Sequence, residues 1–354
     1  MIRSFRATHF RCLENVELSL GPRFNLISGA NASGKTSLLE ALAYLGRGKS
    51  FRGASTANLT QHGKEAFVLF GEVERPEGRI KVGVRNGRDG LEVRVGGESA
   101  IGAAALAEAL PLQVIDPEVH NLIAGGPELR RRFLDWVAFH VEHDHLMIWR
   151  RFRRALKQRN AALKARSSAA AIRSWNAEFL DLAGQLDDSR RRVLELTMAS
   201  LQEHGLALLE TELAFEYQQG WSRDKSLEAS LEGGIDRDMQ MGSTQSGPHR
   251  ADIKVSYDER QARKLVSRGQ QKLLASAMIL AATETAQAAL EKPLLLLLDD
   301  PAAELDSESM ARLMAAVAAL GCQVVATSLE PEALIFPETP LMFHVEQGVV
   351  TALS

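Results

Sequence analysis

The hydrophobic pattern changes period several times along the chain. Residues 16–20 alternate, and Phe24, Leu26 and Ile27 form the near-continuous apolar run of a strand buried on both faces. Leu and Ala then recur at helical spacing over 37–45. Alternation returns in 67–73, 80–84 and 91–95, with Gly, Pro and Asn between the runs, which predicts an antiparallel meander beside the main sheet. From about 117 the pattern is helical, and long amphipathic stretches dominate 128–216. Residues 224–247, rich in Gly, Ser and Asp, predict a flexible return path. Thereafter a strand (251–257), a loop (267–272), a helix through 290, a strand (294–298), another helix and a strand (324–326) ending in Thr327 are expected. The predicted fold class is α/β. A head is built from both ends of the chain (1–115 and 246–354), carries the antiparallel β meander, and has a mainly helical lobe (116–245) inserted between its parts.

Composition narrows the picture. The 354 residues are 45% hydrophobic and 25% charged, sufficient for a real core and incompatible with a fibrous or disordered chain. The longest leucine run, Leu294 to Leu298, is far short of a membrane span, so no membrane association is expected. With only Cys12 and Cys322, and no apolar signal-like segment in MIRSFRATHF, a reducing cytoplasm is the expected compartment. Net charge is −3, but its distribution is uneven. Residues 130–192 hold 15 Lys/Arg against 7 Asp/Glu, and residues 145–177 hold nine Lys/Arg and no acid. A basic island on an acidic chain suggests a polyanionic partner.

Gly29-Ala30-Asn31-Ala32-Ser33-Gly34-Lys35-Thr36 matches G-x-x-x-x-G-K-[ST] between a strand and a helix. Its glycines let backbone N–H groups curl around a phosphate, and the helix contributes its positive end. Lys35 reaches the terminal phosphates, and Thr36, followed by Ser37, can hold Mg²⁺. The candidate ATP contacts are therefore Gly29 to Ser37. The leucine strand ends in Asp299 and Asp300; Asp299 is placed for the Mg²⁺ shell and Asp300 as general base toward an attacking water. Ser267-Arg268-Gly269-Gln270 opens the next helix and could offer Ser267, the Gly269 N–H and the helix dipole to an anion, or serve only as an N-cap. Arg150, Arg151, Arg153, Arg154, Lys157, Arg159 and Lys164 are the candidate DNA contacts. Without interleaved aromatic platforms they fit phosphate contact rather than base stacking, so sequence-independent binding is expected.

Phosphate loop, serine-glycine-glutamine loop and carboxylate strand, in that order, resemble the layout of ABC-type ATPases. That resemblance implies a homodimer on ATP binding, in which the Ser267 to Gln270 signature faces the nucleotide of a second subunit. Glu304 and Asp306 take the D-loop position at that interface. It also makes Gln113 a candidate ATP contact that couples ATP to the helical lobe. More specifically, the strings FRCLENVEL, GANASGKTSLLEAL, GRGKSFR, GGPELRRRFLDW, LKQRNAALK, GPHRADI, SRGQQKLL and LLLLDDPAAELD resemble the RecF family of bacterial recombination mediators along nearly the whole chain. This implies slow ATP hydrolysis, DNA binding that prefers duplex beside single-stranded gaps, a nucleoid location, and RecR, RecO and, indirectly, RecA as partners. The chain departs from these patterns in three places. Ala32 stands where glycine is usual and is compatible if its φ is negative. Asp300 stands where many ABC ATPases carry glutamate. Thr327 or Ser328 stands where transporters carry a switch histidine, which argues against a transporter subunit. An insert of about 120 residues is too short for the long coiled coil of a chromosome-organising protein. The remaining alternative is a nucleotide-switched protein-recruitment scaffold. Arg130, Arg131 and Arg132 are expected under the head, coupling the lobes, and His249 as a turn residue or a functional one.

Overall fold

The computed structural model describes residues 1–257, 260–262, 267–303, 305–330, 332 and 334–353, and these divide into two compact units, 1–119 with 291–354 and 120–290. The expected boundary at 245 is thereby moved. Residues 246–290, including the serine loop, belong to the helical unit, because the long helix after that loop packs on helices of this unit.

The first unit contains two six-stranded sheets. One is antiparallel, in the order β2-β1-β4-β5-β6-β7: Leu13–Ser19, Ile2–Phe10, Ala66–Arg75, Gly78–Gly87, Gly90–Val95 and Glu98–Ala100. The expected meander supplies most of it, and the first two strands join its edge. The other sheet has the order β15-β14-β3-β13-β12-β8: Val349–Leu353, Leu341–Glu346, Phe24–Ser28, Gln323–Ser328, Leu295–Asp299 and Leu112–Ile115. Its strands are parallel apart from the β14–β15 hairpin. Strands β3, β12, β13 and β8 are buried at every position, and their mainly apolar sequences suit a sheet covered on both faces. Helix α1 (Lys35–Arg47) lies in the core of this unit. Leu38, Leu39, Leu42 and Leu45 are fully buried, and Tyr44 meets Phe10 and Phe67 edge-on at ring separations of 6.2 and 5.1 Å. Tyr44 also accepts a 2.6 Å hydrogen bond from Asn86, which satisfies the hydroxyl of this buried ring. Short helices α2 (Thr56–Leu59) and α3 (Ala103–Ala109) complete the N-terminal part.

The second unit is mainly helical: α4 (Asn121–Ala124), α5 (Pro127–Val141), α6 (His145–Lys164), α7 (Ala169–Arg173) and α8 (Asn176–Leu209). Residues 224–247 are not the expected flexible path. Helices α9 (Leu227–Gly233) and α10 (Ile235–Met241) form there, because Leu227, Leu231 and Ile235 bury against the other helices, and Ser226 caps α9 by accepting from the Ala229 N–H. Strand β9 (Leu213–Gln218) pairs with β10 (Asp252–Tyr257), whose other neighbour is β11 (Arg260–Gln261). Helix α11 (Arg268–Leu290) is apolar and long enough to cross a membrane by composition, but 67% of that apolar window is buried inside the protein, as in a core helix. Helix α12 (Ser307–Ala319) returns to the first unit.

Candidate functional site

The carboxyl ends of β3, β13, β12 and β8 bring together residues that lie far apart in sequence. The parallel register aligns Ile27 with Thr327 and Thr327 with Asp299. Such an edge, where strands end and a helix begins, is where open parallel sheets bind ligands. Strand β3 ends in the glycine loop. Gly29 has φ 151, and a Cβ there would lie 2.3 Å from the Val345 carbonyl oxygen, so no other residue fits. Gly34 precedes α1 with φ 118. The loop is closed by Lys35, whose Nζ donates to the carbonyls of Gly29 at 2.6 Å and Ala30 at 2.9 Å. Ala32 has φ 61, so the expectation of a negative φ fails, and alanine sits in the left-handed region that glycine adopts without cost.

Opposite the loop, Asp299 is 4% exposed and hydroxyl groups hold its Oδ1. Thr36 donates to it at 3.0 Å and Thr327 at 2.9 Å. Burial pushes the Asp299 carboxyl up, while the two hydroxyls and nearby Arg52 favour its charged form. Burial lowers the Lys35 ammonium, against the pull of Asp300 and Asp299. Asp300 follows in the left-handed region with φ 46, its N–H donating to Thr327 Oγ1 at 2.9 Å. Thr327, noted in the sequence only because it is not a histidine, therefore braces both aspartates.

Anion and cation chemistry both fit these residues. Among the described residues the Ser33 hydroxyl is buried in the loop without a hydrogen-bond partner, a donor suited to a phosphate oxygen. Thr36 and Asp299 are hard oxygen donors of the kind Mg²⁺ takes, one hydroxyl and one carboxylate. Ser37 lies one residue into the helix and is half-buried.

Two charged neighbours of Asp299 were not legible as such. Arg52 belongs to the string GRGKSFR, which carried no assigned role. Its loop is tied to α1 through Ser50, which donates to the fully buried Glu40 carboxylate and accepts from the N–H groups of Arg52 at 3.0 Å and Ala54 at 3.2 Å. Arg11 pairs with the same carboxylate through both of its oxygens. The other neighbour is Asp116, which follows β8 where Asp299 ends β12. Burial and the Asp299 charge push its carboxyl up to about 6, against a backbone hydrogen bond and the Arg47 charge. Gln113, the candidate for coupling ATP to the lobe, lies within β8. It is 7% exposed, and its amide oxygen accepts from Arg47 at 3.0 Å. A strand register, absent from the sequence pattern, is needed to separate Gln113 from Asp116.

The expected interface residues are locally capped. Ser267 Oγ accepts from the Gln270 N–H at 3.3 Å and Gln270 Oε1 accepts from the Ser267 N–H at 2.9 Å, a reciprocal capping box that leaves Ser267 and Arg268 exposed and Gly269 half-buried. Asp306 caps α12, accepting from the Ser309 N–H at 2.8 Å and from its hydroxyl at 2.9 Å, which lowers its carboxyl pKa. Glu304 lies outside the described residues.

In the second unit, α6 buries Phe152, Ala155, Arg159 and Leu163 and exposes Arg150, Arg151, Arg153, Arg154, Lys157 and Lys164. At 100° per residue, Arg150, Arg153, Arg154, Lys157 and Lys164 fall within an arc of about 100°, opposite the buried face. Arg153 lies over the Trp149 ring at 4.7 Å. Arg159 is corrected: it contacts no solvent and so no DNA. It is 0% exposed, donating to Asp238 and to Thr244 at 2.7 Å each and to Asn176 at 3.1 Å. Its helical angle, shared with Phe152, Ala155 and Leu163, already marked the inner face. Arg130 and Arg131 are likewise internal to this unit. Arg130 grips Asp252 with two hydrogen bonds of 2.7 and 3.1 Å, and Arg131 donates to the Ala251 carbonyl, whereas Arg132 pairs with Glu128 on the surface. His249 is a turn residue, its Nε2 bonded to the Thr244 carbonyl at 2.9 Å.

The model of the RecF/RecN/SMC N-terminal domain family matches residues 1–351. The chain is 38% identical over 352 residues to the DNA replication and repair protein RecF of Pseudomonas fluorescens (strain Pf0-1), covering 97% of this chain and 96% of that one. It is 42% identical over 347 residues to the protein of the same name from Chromohalobacter salexigens, covering 96% of each. Among solved structures, that of the recombination mediator protein RecF-ATP in the RecFOR pathway superposes with a TM-score of 0.90 at 24% identity, covering 100% of this chain and 97% of that one, which supports the fold.

Proposed function

The chain belongs to the RecF/RecN/SMC N-terminal domain family and, within it, to the RecF proteins, and from that premise we propose that it is an ATP-dependent DNA-binding mediator of recombination and repair. The observation that carries the nucleotide part is the convergence of Lys35, Thr36, Asp299 and Thr327 at one sheet edge, with two hydroxyls on a single carboxylate oxygen. Gly29 to Thr36 would hold the phosphates through backbone N–H groups and the Ser33 hydroxyl, and Lys35 would exchange its two carbonyl partners for phosphate oxygens. Thr36 and Asp299 would hold Mg²⁺, which when bound neutralises charge at the phosphates. Asp300 would accept the proton of the attacking water, held in place through its N–H on Thr327. Aspartate is one methylene shorter than glutamate, which favours slow turnover and a switch over a motor.

The DNA part rests on the α6 stripe, five cations with no acid on the same helix. The exposed Ser267 and the half-buried Gly269 of a second copy would complete each nucleotide site, so that ATP joins two chains and their basic helices act together on duplex DNA near gaps. The dimer would then assist RecR and RecO in RecA loading, and hydrolysis would reset it in the cytoplasm.

Fluorescence anisotropy with gapped, duplex and single-stranded DNA, with ATP, ADP or no nucleotide at two salt concentrations, tests this reading. Tight, steeply salt-dependent binding of duplex-containing DNA is expected only with ATP, and Lys35→Ala abolishes the ATP effect. Binding that is absent, or equal in all nucleotide states, refutes the gated reading and leaves the recruitment scaffold.

A further inference from the structure

Away from the nucleotide edge, the first unit contains a cavity of about 220 Å³. Its walls are the end of β4 (Val73, Arg75), the turn Leu110–Pro111 and the segment Lys292–Pro293 that leads into β12. Most of the lining is apolar, and prolines 76, 111 and 293 have no N–H to offer, so the backbone supplies few donors for an anion.

The charged residues that line this space are Glu74, Arg75 and Lys292, with Met1 beside them. Arg75 spends Nη2 on the Glu108 carbonyl at 3.2 Å, and its Nε is buried with no hydrogen-bond partner. Lys292 forms no ion pair among the described residues. Burial lowers its pKa and the neighbouring Arg75 lowers it further, while Glu77 pulls the other way. The Met1 ammonium donates to the Glu74 carbonyl at 2.9 Å. Its pKa is lowered by burial, and Arg3, Lys292 and Arg75 add to the shift against Glu74. The Glu74 carboxylate is shared with Arg3, which donates to it at 2.6 Å. Like charges thus crowd an apolar recess and disfavour one another's ionisation, a cost that a counter-charge entering the recess would remove.

We infer that this cavity binds the carboxylate of a small apolar acid, with Arg75 and Lys292 on the carboxylate and Val73, Leu110 and Leu295 around the aliphatic body. Bare phosphate would leave the apolar walls uncovered. The volume is below the roughly 300 Å³ at which drug-sized pockets begin, so the occupant is about the size of one aliphatic residue. Either a free small acid or the carboxyl-terminal residue of a peptide offers this chemistry.

Isothermal titration calorimetry on the full chain, with N-acetylleucine, an acetylated tripeptide ending in leucine, and the amides of both, tests the inference. The free acids are expected to bind at least about tenfold more tightly than the amides. Lys292→Gln and Arg75→Gln should each weaken the acids by about tenfold while the thermal midpoint stays unchanged. A tripeptide acid that binds more tightly than N-acetylleucine assigns the site to a chain terminus, and equal binding assigns it to a free acid. Acids and amides that bind alike, no binding by either acid, or unaltered affinity in Lys292→Gln overturns the inference.

Discussion

Replacing Arg159 by methionine separates a structural arginine from the basic surface around it. The substitution keeps the unbranched stem of the side chain and removes a guanidinium that is 0% exposed, leaving Asp238, 3% exposed at its side chain, without its 2.7 Å partner. Breaking one half of a buried ion pair costs about 3–5 kcal/mol. Asp238 keeps one support, since Oδ1 still accepts from the Gln245 N–H at 2.9 Å, which places the expected loss near the lower end, about 3 kcal/mol. Pairing the change with Asp238→Asn removes the stranded charge and keeps an amide oxygen for the Gln245 N–H, so that of the bonds Arg159 made to neutral groups the Thr244 and Asn176 contacts stay unmade, at about 1 kcal/mol each. The double variant should therefore be more stable than the single one by about 1 kcal/mol or more. Urea unfolding followed by tryptophan fluorescence reads this unit selectively, because all four tryptophans (136, 149, 175 and 221) lie within 120–290. The same proteins titrated with duplex DNA should show the wild-type salt slope for Arg159→Met. The exposed Arg154→Gln should instead lower the slope by about 0.9 and change stability by less than about 0.5 kcal/mol. The reasoning fails if Arg159→Met costs under about 1 kcal/mol, if the double variant is no better than the single, or if Arg159→Met lowers the salt slope as Arg154→Gln does.

Asparagine tolerates the left-handed backbone of position 300, so Asp300→Asn should fold normally. It should slow ATP hydrolysis by about 10²-fold or more in single-turnover assays and prolong the ATP-bound dimer on DNA; unchanged hydrolysis removes Asp300 from the role of base. Ala32→Gly relieves a positive φ of 61, and a gain of up to about 1 kcal/mol in the unfolding free energy of the first unit is expected; a loss would show that the strain is not there. His249 has its pKa depressed to about 4 by burial, so between pH 6.5 and 4 the unfolded chain binds more protons than the folded one and stability falls as pH falls. The contribution is up to about 3 kcal/mol and complete above pH 6.5, and His249→Gln should flatten urea midpoints measured from pH 7 to pH 4.5.

The sequence alone determined the parts whose physics is local. A glycine loop between a buried strand and a helix, and a run of leucines ending in two aspartates, each report their own conformation through residue type and period, and both stand where the pattern put them. The basic stripe of α6 was present in residue spacing, as was the inward angle of Arg159, though charge obscured it. Composition misread 224–247, because the burial of Leu227, Leu231 and Ile235 against other helices outweighs a polar, glycine-rich makeup. Only the tertiary structure decided which carboxylates and hydroxyls meet. Thr36, Asp299 and Thr327 come together through the parallel register of β3, β13 and β12, and the same register places Asp116 at the edge and Gln113 inside. Strand pairing is a relation between distant segments with no trace in the period of either, so the side chains that brace the site were fixed by the sheet and could not be read from the chain.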